Sequence, residues 1–111
     1  MRDLTWSDGE KKLARRVFES ALQAELAEVV ADFKTRAAAA KAPDDIWELE
    51  GYLRDKRLGI DRKYDYRYSQ LLSVFAHLVR ERRVHEAQLA GLSEEKLSAI
   101  RRMADIEEPG A

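Results

Sequence analysis

Apolar residues recur at intervals of three and four positions in the first third of this chain, and this spacing most constrains its fold. Such spacing places side chains along one stripe of an α-helix, whereas a half-buried strand needs strict alternation. Ser7 and Glu10 have the spacing of a capping box, in which each side chain satisfies a backbone N–H at a helix start. We therefore predict a first helix that begins at Ser7. Its apolar stripe comprises Leu13, Ala14, Val17, Phe18, Ala21, Leu22, Leu26, Val29, Val30 and Phe33.

The end of this helix is marked by an alanine run and a proline. Residues 37–40 are all alanine, which loses no side-chain entropy in a helix, so the run favours continuation until Pro43 stops it. We predict a turn over residues 41–45. Asp45, followed three positions later by Glu48, resembles the cap of a second helix.

Beyond the turn, helical spacing returns and predicts a second helix that continues without interruption to about Arg82. Gly59 marks the place where a kink or break is easiest, because glycine costs about 1 kcal/mol relative to alanine inside a helix. A helix of this length would span roughly 50 Å at 1.5 Å per residue, too long for a compact globule. The apolar positions are Ile46, Leu49, Leu53, Ile60, Leu71, Val74, Phe75 and Leu78.

The last quarter of the chain has the pattern of short helical pieces. We predict a small head over about residues 83–105, with a short segment at 84–89 and a final helix that Ser93 caps. The tail at residues 106–111 is expected to fray. The apolar edge of the final helix comprises Leu97, Ile100 and Met103.

These elements predict one all-α domain over residues 1–111, in which a long helical hairpin at about 7–82 carries a small C-terminal helical head. An extended hairpin encloses little volume, so its apolar stripes stay partly exposed to solvent unless a second copy covers them. Two-fold pairing is the commonest way to close such a surface. We therefore predict a homodimer formed through the long helices.

Composition argues against several classes of partner and location. There are 20 Lys and Arg residues against 21 Asp and Glu residues, so no global field attracts this chain to nucleic acid. There is no cysteine, which excludes disulfides and thiolate metal sites. The most apolar stretch, residues 71–79, is far shorter than the roughly 20 residues of a membrane span. The N-terminus lacks the apolar segment of a secretory signal, so we expect a cytoplasmic protein with no membrane span.

The sequence offers little sign of catalysis. It contains no glycine-rich phosphate loop, nucleophile elbow or zinc-protease motif, so we expect no enzyme and no cofactor. His77, Glu81 and His85 are spaced four apart, which would align them on one helix face. A zinc site also needs a fourth ligand with supporting contacts, so we expect these residues to be structural and predict no metal site.

One group of polar and aromatic residues on the second helix suggests a surface for a partner. On a continuous helix its members fall along a single seam, offset from the apolar stripe. Trp, Tyr and Arg are the residue types that most often carry binding energy, so we predict a partner-binding or dimer seam. The alternative is a solvated face held by weak ion pairs. A third interpretation, binding of nucleic acid, is disfavoured because nearby aspartates neutralise part of the positive charge that phosphate binding needs. The seam comprises Trp47, Glu50, Arg54, Arg57, Asp61, Tyr64 and Tyr68.

Short motifs distributed from the N-terminus to the head carry a resemblance to a known family. They are Trp6-Ser7, Asp44-Asp45-Ile46-Trp47, Lys56-Arg57, Ile60-Asp61, Lys63-Tyr64-Asp65, Arg67 and Val74-Phe75-Ala76. With these residues the chain resembles the fluorescence recovery protein family of cyanobacteria, and the resemblance extends from Trp6 to about Met103.

The resemblance implies a non-enzymatic regulatory protein, all-helical and dimeric through its long helices. Members of the family bind the photoactivated orange carotenoid protein, accelerate its return to the resting state and aid its release from the phycobilisome antenna. The implied partners of this chain are therefore a second copy of itself and an orange carotenoid protein or a related domain.

Carried over residue by residue, the family's functional tryptophan falls on Trp47 and its functional arginine on Arg57. The family's histidine and aspartate between them are replaced here by Glu50 and Gly51. On the head surface, a phenylalanine of the family falls on Ser73 and a lysine on Ala99. These replacements favour a second hypothesis, a divergent dimeric helical scaffold that binds a different protein.

Overall fold

Residues 5–107 are described by the computed structural model of this chain, and α-helices dominate them. No strand occurs in this part of the chain, so the prediction of an all-α fold is confirmed. The molecule is elongated, with principal extents of 54 × 34 × 25 Å. In chain order the elements are α1 (Asp8–Ala39), α2 (Pro43–Lys63), α3 (Leu71–Arg80), a 3-10 turn (Glu86–Leu89) and α4 (Glu94–Glu107).

The start of α1 is the predicted capping box. The Ser7 hydroxyl accepts the N–H of Glu10 at 3.1 Å, and the Glu10 carboxylate accepts the N–H of Ser7 at 3.0 Å. The helix then continues for 32 residues through most of the alanine run and ends at Ala39. At 1.5 Å per residue it is about 48 Å long, which makes it the longest element of residues 5–107.

The second cap differs in detail from the prediction. Pro43 is the first residue of α2, where its missing N–H costs nothing, and Ala42 is the N-cap. Asp45 is the third helical residue, and its carboxylate accepts the N–H groups of Ala42 at 2.9 Å and Lys41 at 2.8 Å. These two hydrogen bonds lower the pKa of Asp45. Asp45 therefore closes the turn from inside the helix, without a contribution from Glu48.

The prediction of one continuous helix to about Arg82 is wrong. The second helix ends at Lys63, a nonhelical connector occupies residues 64–70, and α3 begins at Leu71. The break does not fall at Gly59, which lies inside α2. The second helix is thus 21 residues long, about 32 Å, rather than roughly 50 Å.

The tyrosines of the connector explain the break. In extended backbone, alternate residues point to the same side, so Tyr64 and Tyr66 can both pack on one partner. Their rings lie edge-on to Phe18 with centroids 5.4 and 4.8 Å away, and the Tyr68 ring lies 5.6 Å from that of Trp6. Packing of these rings on α1 outweighs the helical preference of the local sequence.

The hydrophobic core lies at one end of the molecule, which we call the head. It is built from the first half of α1, α3, the 3-10 turn and α4. Because α3 packs against α4, its residues belong to the head and not to the predicted hairpin that ends at about residue 82. The core side chains are Trp6, Ala14, Val17, Phe18, Ala21, Leu71, Val74, Phe75, Ala76, Leu78, Val84, Leu89, Leu92, Leu97, Ile100 and Ala104.

The final helix begins as predicted, because the Ser93 hydroxyl accepts the N–H of Lys96 at 3.3 Å. It continues two residues beyond the predicted end of the head, to Glu107. The rest of the predicted frayed tail, residues 108–111, lies outside the described residues.

The other end of the molecule is an arm, formed by α2 and residues 22–39 of α1, which run antiparallel. Tyr52 reaches Asp32 near the middle of the arm, and Lys63 reaches Glu25 near the head. No side chain of α2 is buried. None of the helices within residues 5–107 combines the length and the hydrophobicity of a membrane-spanning segment.

Candidate partner-binding surfaces

Five of the seven predicted seam residues lie on α2 along one side of the helix, and we call this set the arm face. Their spacing of 3, 7, 10 and 14 from the first member keeps them close to a single line on the helix surface. All five are exposed, and the Trp47 side chain at the free end of the arm is 65% exposed. The arm face comprises Trp47, Glu50, Arg54, Arg57 and Asp61.

Ion pairs connect neighbouring members of the arm face. Arg54 lies 3.2 Å from Glu50, and Arg57 lies 3.8 Å from Asp61. Each of the four side chains is more than 60% exposed, so the pairs are screened by water and contribute only a few tenths of a kcal/mol. A partner can therefore replace these contacts with little loss of stability to this chain.

Tyr64 and Tyr68 do not belong to this face, because α2 ends before them. The Tyr64 hydroxyl donates to Glu25 at 2.8 Å, and burial together with this hydrogen bond raises the pKa of Tyr64. The Tyr68 ring packs against the rings of Trp6 and Tyr66 on the head. The prediction that both tyrosines extend the helical seam is wrong, since it depended on an unbroken helix.

The two predicted head-surface residues lie on different helices of the head. Ser73 is exposed on α3, and Ala99 is half-buried on α4. Ser73 lines an open cleft of about 790 Å³ between α3 and the second half of α2, whose walls include Lys56, Ile60 and His77. The cleft thus connects the arm with the head surface.

The three residues with metal-like spacing are not brought together. His77 Nε2 lies 3.0 Å from Glu81, but α3 ends before His85. His85 caps the 3-10 turn, where its Nδ1 accepts the N–H of Ala87 at 3.1 Å. Across residues 5–107, no group of three or more metal-ligating side chains is placed to hold an ion.

One feature of the surface was not predicted from the sequence. Glu25, Lys63, Tyr64 and Arg83 form a polar and charged cluster between arm and head, although Glu25 is far from the others in the chain. Sequence spacing carries no signal for such a cluster.

The exposure of the apolar stripes agrees with the prediction for an extended hairpin. Large apolar side chains stay 37 to 65% exposed, and outside the head they lie along both helices of the arm. Those on the arm are Leu26, Val30, Ile46, Trp47, Leu53 and Leu58.

The fold and these surfaces define an all-helical protein with an arm and a head, whose exposed residue types are those that bind other proteins. A family model described as the photoprotection regulator fluorescence recovery protein matches residues 6–104. The chain belongs to the fluorescence recovery protein family, which regulates photoprotection.

Individual relatives agree with this assignment. The fluorescence recovery protein of Synechocystis sp. is 37% identical over 101 residues, which cover 91% of this chain and 93% of that protein. The solved structures of the Fremyella diplosiphon and Synechocystis sp. fluorescence recovery proteins each match with a TM-score of 0.86 and 37% identity. Each match covers 91% of this chain and 99% of the solved chain. The resemblance seen in the sequence is therefore confirmed along with the fold.

Proposed function

We propose that this chain is a non-enzymatic regulator that binds a photoactivated orange carotenoid protein, or a related domain, in the cytoplasm. It accelerates the return of that partner to the resting state and aids its release from the phycobilisome. The observation that carries the proposal is membership of the family over residues 6–104, with Trp47 and Arg57 both present and exposed on the arm.

The chain acts as a homodimer in this proposal. A helix of 21 residues without one buried side chain is unusual for a stable monomer, because most helical stability comes from burial of an apolar face. The exposed apolar residues of the arm, among them Val30 at 52% and Ile46 at 57%, form the surface that a second copy would cover. Pairing of two arms leaves a head at each end for the partner.

Regulation of this kind needs selective binding and no bond chemistry. A ligand with equal affinity for both states of its partner shifts nothing, so the chain must bind the resting state or a relaxing state better than the photoactivated state. Acceleration further requires that the transition state of relaxation bind more tightly than the photoactivated state.

The test is the rate at which photoactivated orange carotenoid protein relaxes in the dark, with and without this chain, beside light scattering for its mass. We expect faster relaxation and the mass of a dimer. Trp47→Ala is the test variant, and Glu48→Ala on the same helix is its matched control. Unchanged relaxation at saturating wild-type protein would overturn the proposal.

A second function is favoured by four residues. Glu50, Gly51, Ser73 and Ala99 differ from the residues that the family resemblance implies at these positions. They support a dimeric helical scaffold of the same family that serves a different protein partner. A dimer that leaves relaxation unchanged, yet captures one defined protein from its own source in a manner sensitive to Trp47→Ala, supports this alternative.

A further inference from the structure

Three donors from three different segments converge on the carboxylate of Glu25, at the point where the arm meets the head. The Lys63 ammonium at the end of α2 and the Tyr64 hydroxyl of the connector each lie 2.8 Å away. The third donor, Nε of Arg83 from the loop after α3, lies 3.3 Å away. The Glu25 and Lys63 side chains are each only 13% exposed, so water screens their attraction little.

Lys63 and Arg83 each contact a further carboxylate in addition to Glu25, and these contacts extend the cluster. Lys63 lies 2.8 Å from Glu81, and Arg83 makes two hydrogen bonds of 2.8 and 3.0 Å to Glu28. Burial opposes ionisation of Glu81, but the contacts with Lys63, His77 and Arg83 outweigh it, so the pKa of Glu81 is lowered. The hydrogen bond to Glu28 raises the pKa of Arg83. Glu81 and Arg83 are therefore both charged at neutral pH.

Polar contacts of this kind help to fix the position of α2, because its side chains are at most half-buried. Its other described polar contact to α1 is near mid-arm, where the Tyr52 hydroxyl donates to Asp32 at 2.6 Å and the Arg36 guanidinium lies over the Tyr52 ring. The Glu25 cluster is the contact nearest to the head. Within residues 5–107, this cluster is the polar contact that joins α1, α2 and the loop after α3.

We propose that Glu25 is a positioning residue that sets the opening of the cleft between α2 and α3. Glu25, Lys63 and Glu81 all line this cleft, together with Ser73. The inference rests on the proposed function, since the cleft lies between the arm face and the head surface. Loss of the Glu25 charge removes the acceptor that ties Lys63 and Arg83 to α1, and leaves Glu81, 2.8 Å from Lys63 and 3.4 Å from Arg83, as their remaining shared carboxylate. The contact between α2 and α1 at this end is then lost, so α2 is held less firmly at one angle to the head.

The angle can be measured directly, because the chain contains no cysteine and spin labels can be placed at will. Asp44→Cys at the free end of α2 and Arg102→Cys on α4 are exposed labelling sites. Dilution of labelled protein with unlabelled protein isolates the distance within one protomer. In the otherwise unchanged chain, we expect the distribution of distances between the two labels to show one narrow peak. In Glu25→Gln, this narrow peak should be lost.

The matched control is Glu28→Gln, which removes a carboxylate from Arg83 but leaves all three donors on Glu25. It should keep the narrow peak. An unchanged peak in Glu25→Gln, with helicity by circular dichroism retained, would overturn the proposal. If Glu25→Gln does not fold, Lys63→Gln removes the α2 donor alone and must broaden the distance in its place.

A second readout separates this inference from the proposed function. Where the wild-type chain accelerates relaxation of the carotenoid protein, Glu25→Gln should require about tenfold more protein for the same effect, as expected for loss of hydrogen bonds to a charged group. Glu28→Gln should act like the wild type. If the wild-type chain has no effect, the proposed function fails, and the distance measurement still decides the role of Glu25.

Discussion

The Lys96 ammonium lies 3.1 Å from the carboxylate of Glu10, and the two residues are only 3% and 8% exposed. The same carboxylate accepts the N–H groups of Ser7 and Ser93, which stand at the starts of α1 and α4. Lys96 also donates to the carbonyl oxygen of Thr5 at 2.6 Å. One buried ion pair thus holds together the N-terminal segment and two helix starts.

Lys96→Met should destabilise the head strongly. Removal of Lys96 leaves the buried Glu10 charge with the N–H groups of Ser7 and Ser93 but without its cation, which costs about 3 kcal/mol. Urea unfolding followed by circular dichroism measures the loss. Lys12→Met, at an exposed position of α1, is the matched control and should change the free energy of unfolding by less than about 0.5 kcal/mol. Equal stability of the two variants would contradict a stabilising role for the pair.

The same pair should make stability depend on pH in the acid range. Burial raises the pKa of Glu10, but the N–H groups of Ser7 and Ser93 and the charge of Lys96 outweigh it, so the pKa is lowered from 4.5. A carboxyl group with a lowered folded pKa stabilises the fold fully above its unfolded pKa, and the contribution is lost as pH falls through the folded value.

Unfolding of the wild type and of Glu10→Gln at a series of pH values checks this prediction. The difference in unfolding free energy should be constant above about pH 5 and should shrink below pH 4.5, the unfolded value. A difference in unfolding free energy that grows as the pH falls would contradict a lowered pKa of Glu10 in the folded protein.

Arg82→Gly should stabilise the protein. Arg82 has a φ of 64°, the left-handed region that costs a side chain with Cβ about 1 kcal/mol, and it directly follows the cap of α3. We expect a gain of about 1 kcal/mol in unfolding free energy. Arg102→Gly, inside α4, is the control and should lose about 1 kcal/mol, because glycine there only weakens a helix. Destabilisation by Arg82→Gly would mean that the contacts of the Arg82 side chain stabilise the fold by more than its left-handed backbone conformation costs.

Local signals in the sequence predicted where most helices begin and end. The break after Lys63 could not be predicted in the same way, because it depends on packing between residues far apart in the chain. The Ser7 capping box, the Pro43 stop and the Ser93 cap depend on residues within a few positions, so they could be identified from the sequence. The missed break after Lys63 depends on packing of the connector tyrosines against Phe18, which is 46 positions before Tyr64. The alternation of tyrosine with charged residues over 64–68 has the period of extended chain and could have indicated it.

The candidate surfaces were predictable to a similar degree. The five arm-face residues could be grouped because they lie on one helix, whereas Tyr64 and Tyr68 were misplaced with the helix that was expected to carry them. The Glu25 cluster joins positions 25, 63 and 83, and no spacing rule connects residues on three separate segments.

Trp47→Ala should weaken the proposed dimer without loss of monomer stability, because the side chain is 65% exposed in one copy. Buried interface tryptophans commonly contribute 2 kcal/mol or more, so we expect a dissociation constant about 30-fold higher. Sedimentation over a concentration series measures it, with Glu48→Ala as control. Unchanged self-association together with unchanged partner binding would refute a role for the arm face.

Restoring the family's head residues should increase activity toward the carotenoid protein. The resemblance implies phenylalanine in place of Ser73 and lysine in place of Ala99, and both positions have access to the surface. Ser73→Phe places an aromatic ring at the cleft, and Ala99→Lys adds a cation to the head, so the double variant should accelerate dark relaxation more than the wild type does.

Ser98→Lys, one position earlier and exposed on α4, adds the same charge elsewhere and serves as the control. A gain in the double variant but not in Ser98→Lys shows that the head surface limits activity, since both proteins carry the same arm face. If neither variant accelerates dark relaxation more than the wild type does, and both retain the dimer mass, the result would favour the scaffold with a different partner. The restored family residues would then have no complementary surface on the carotenoid protein.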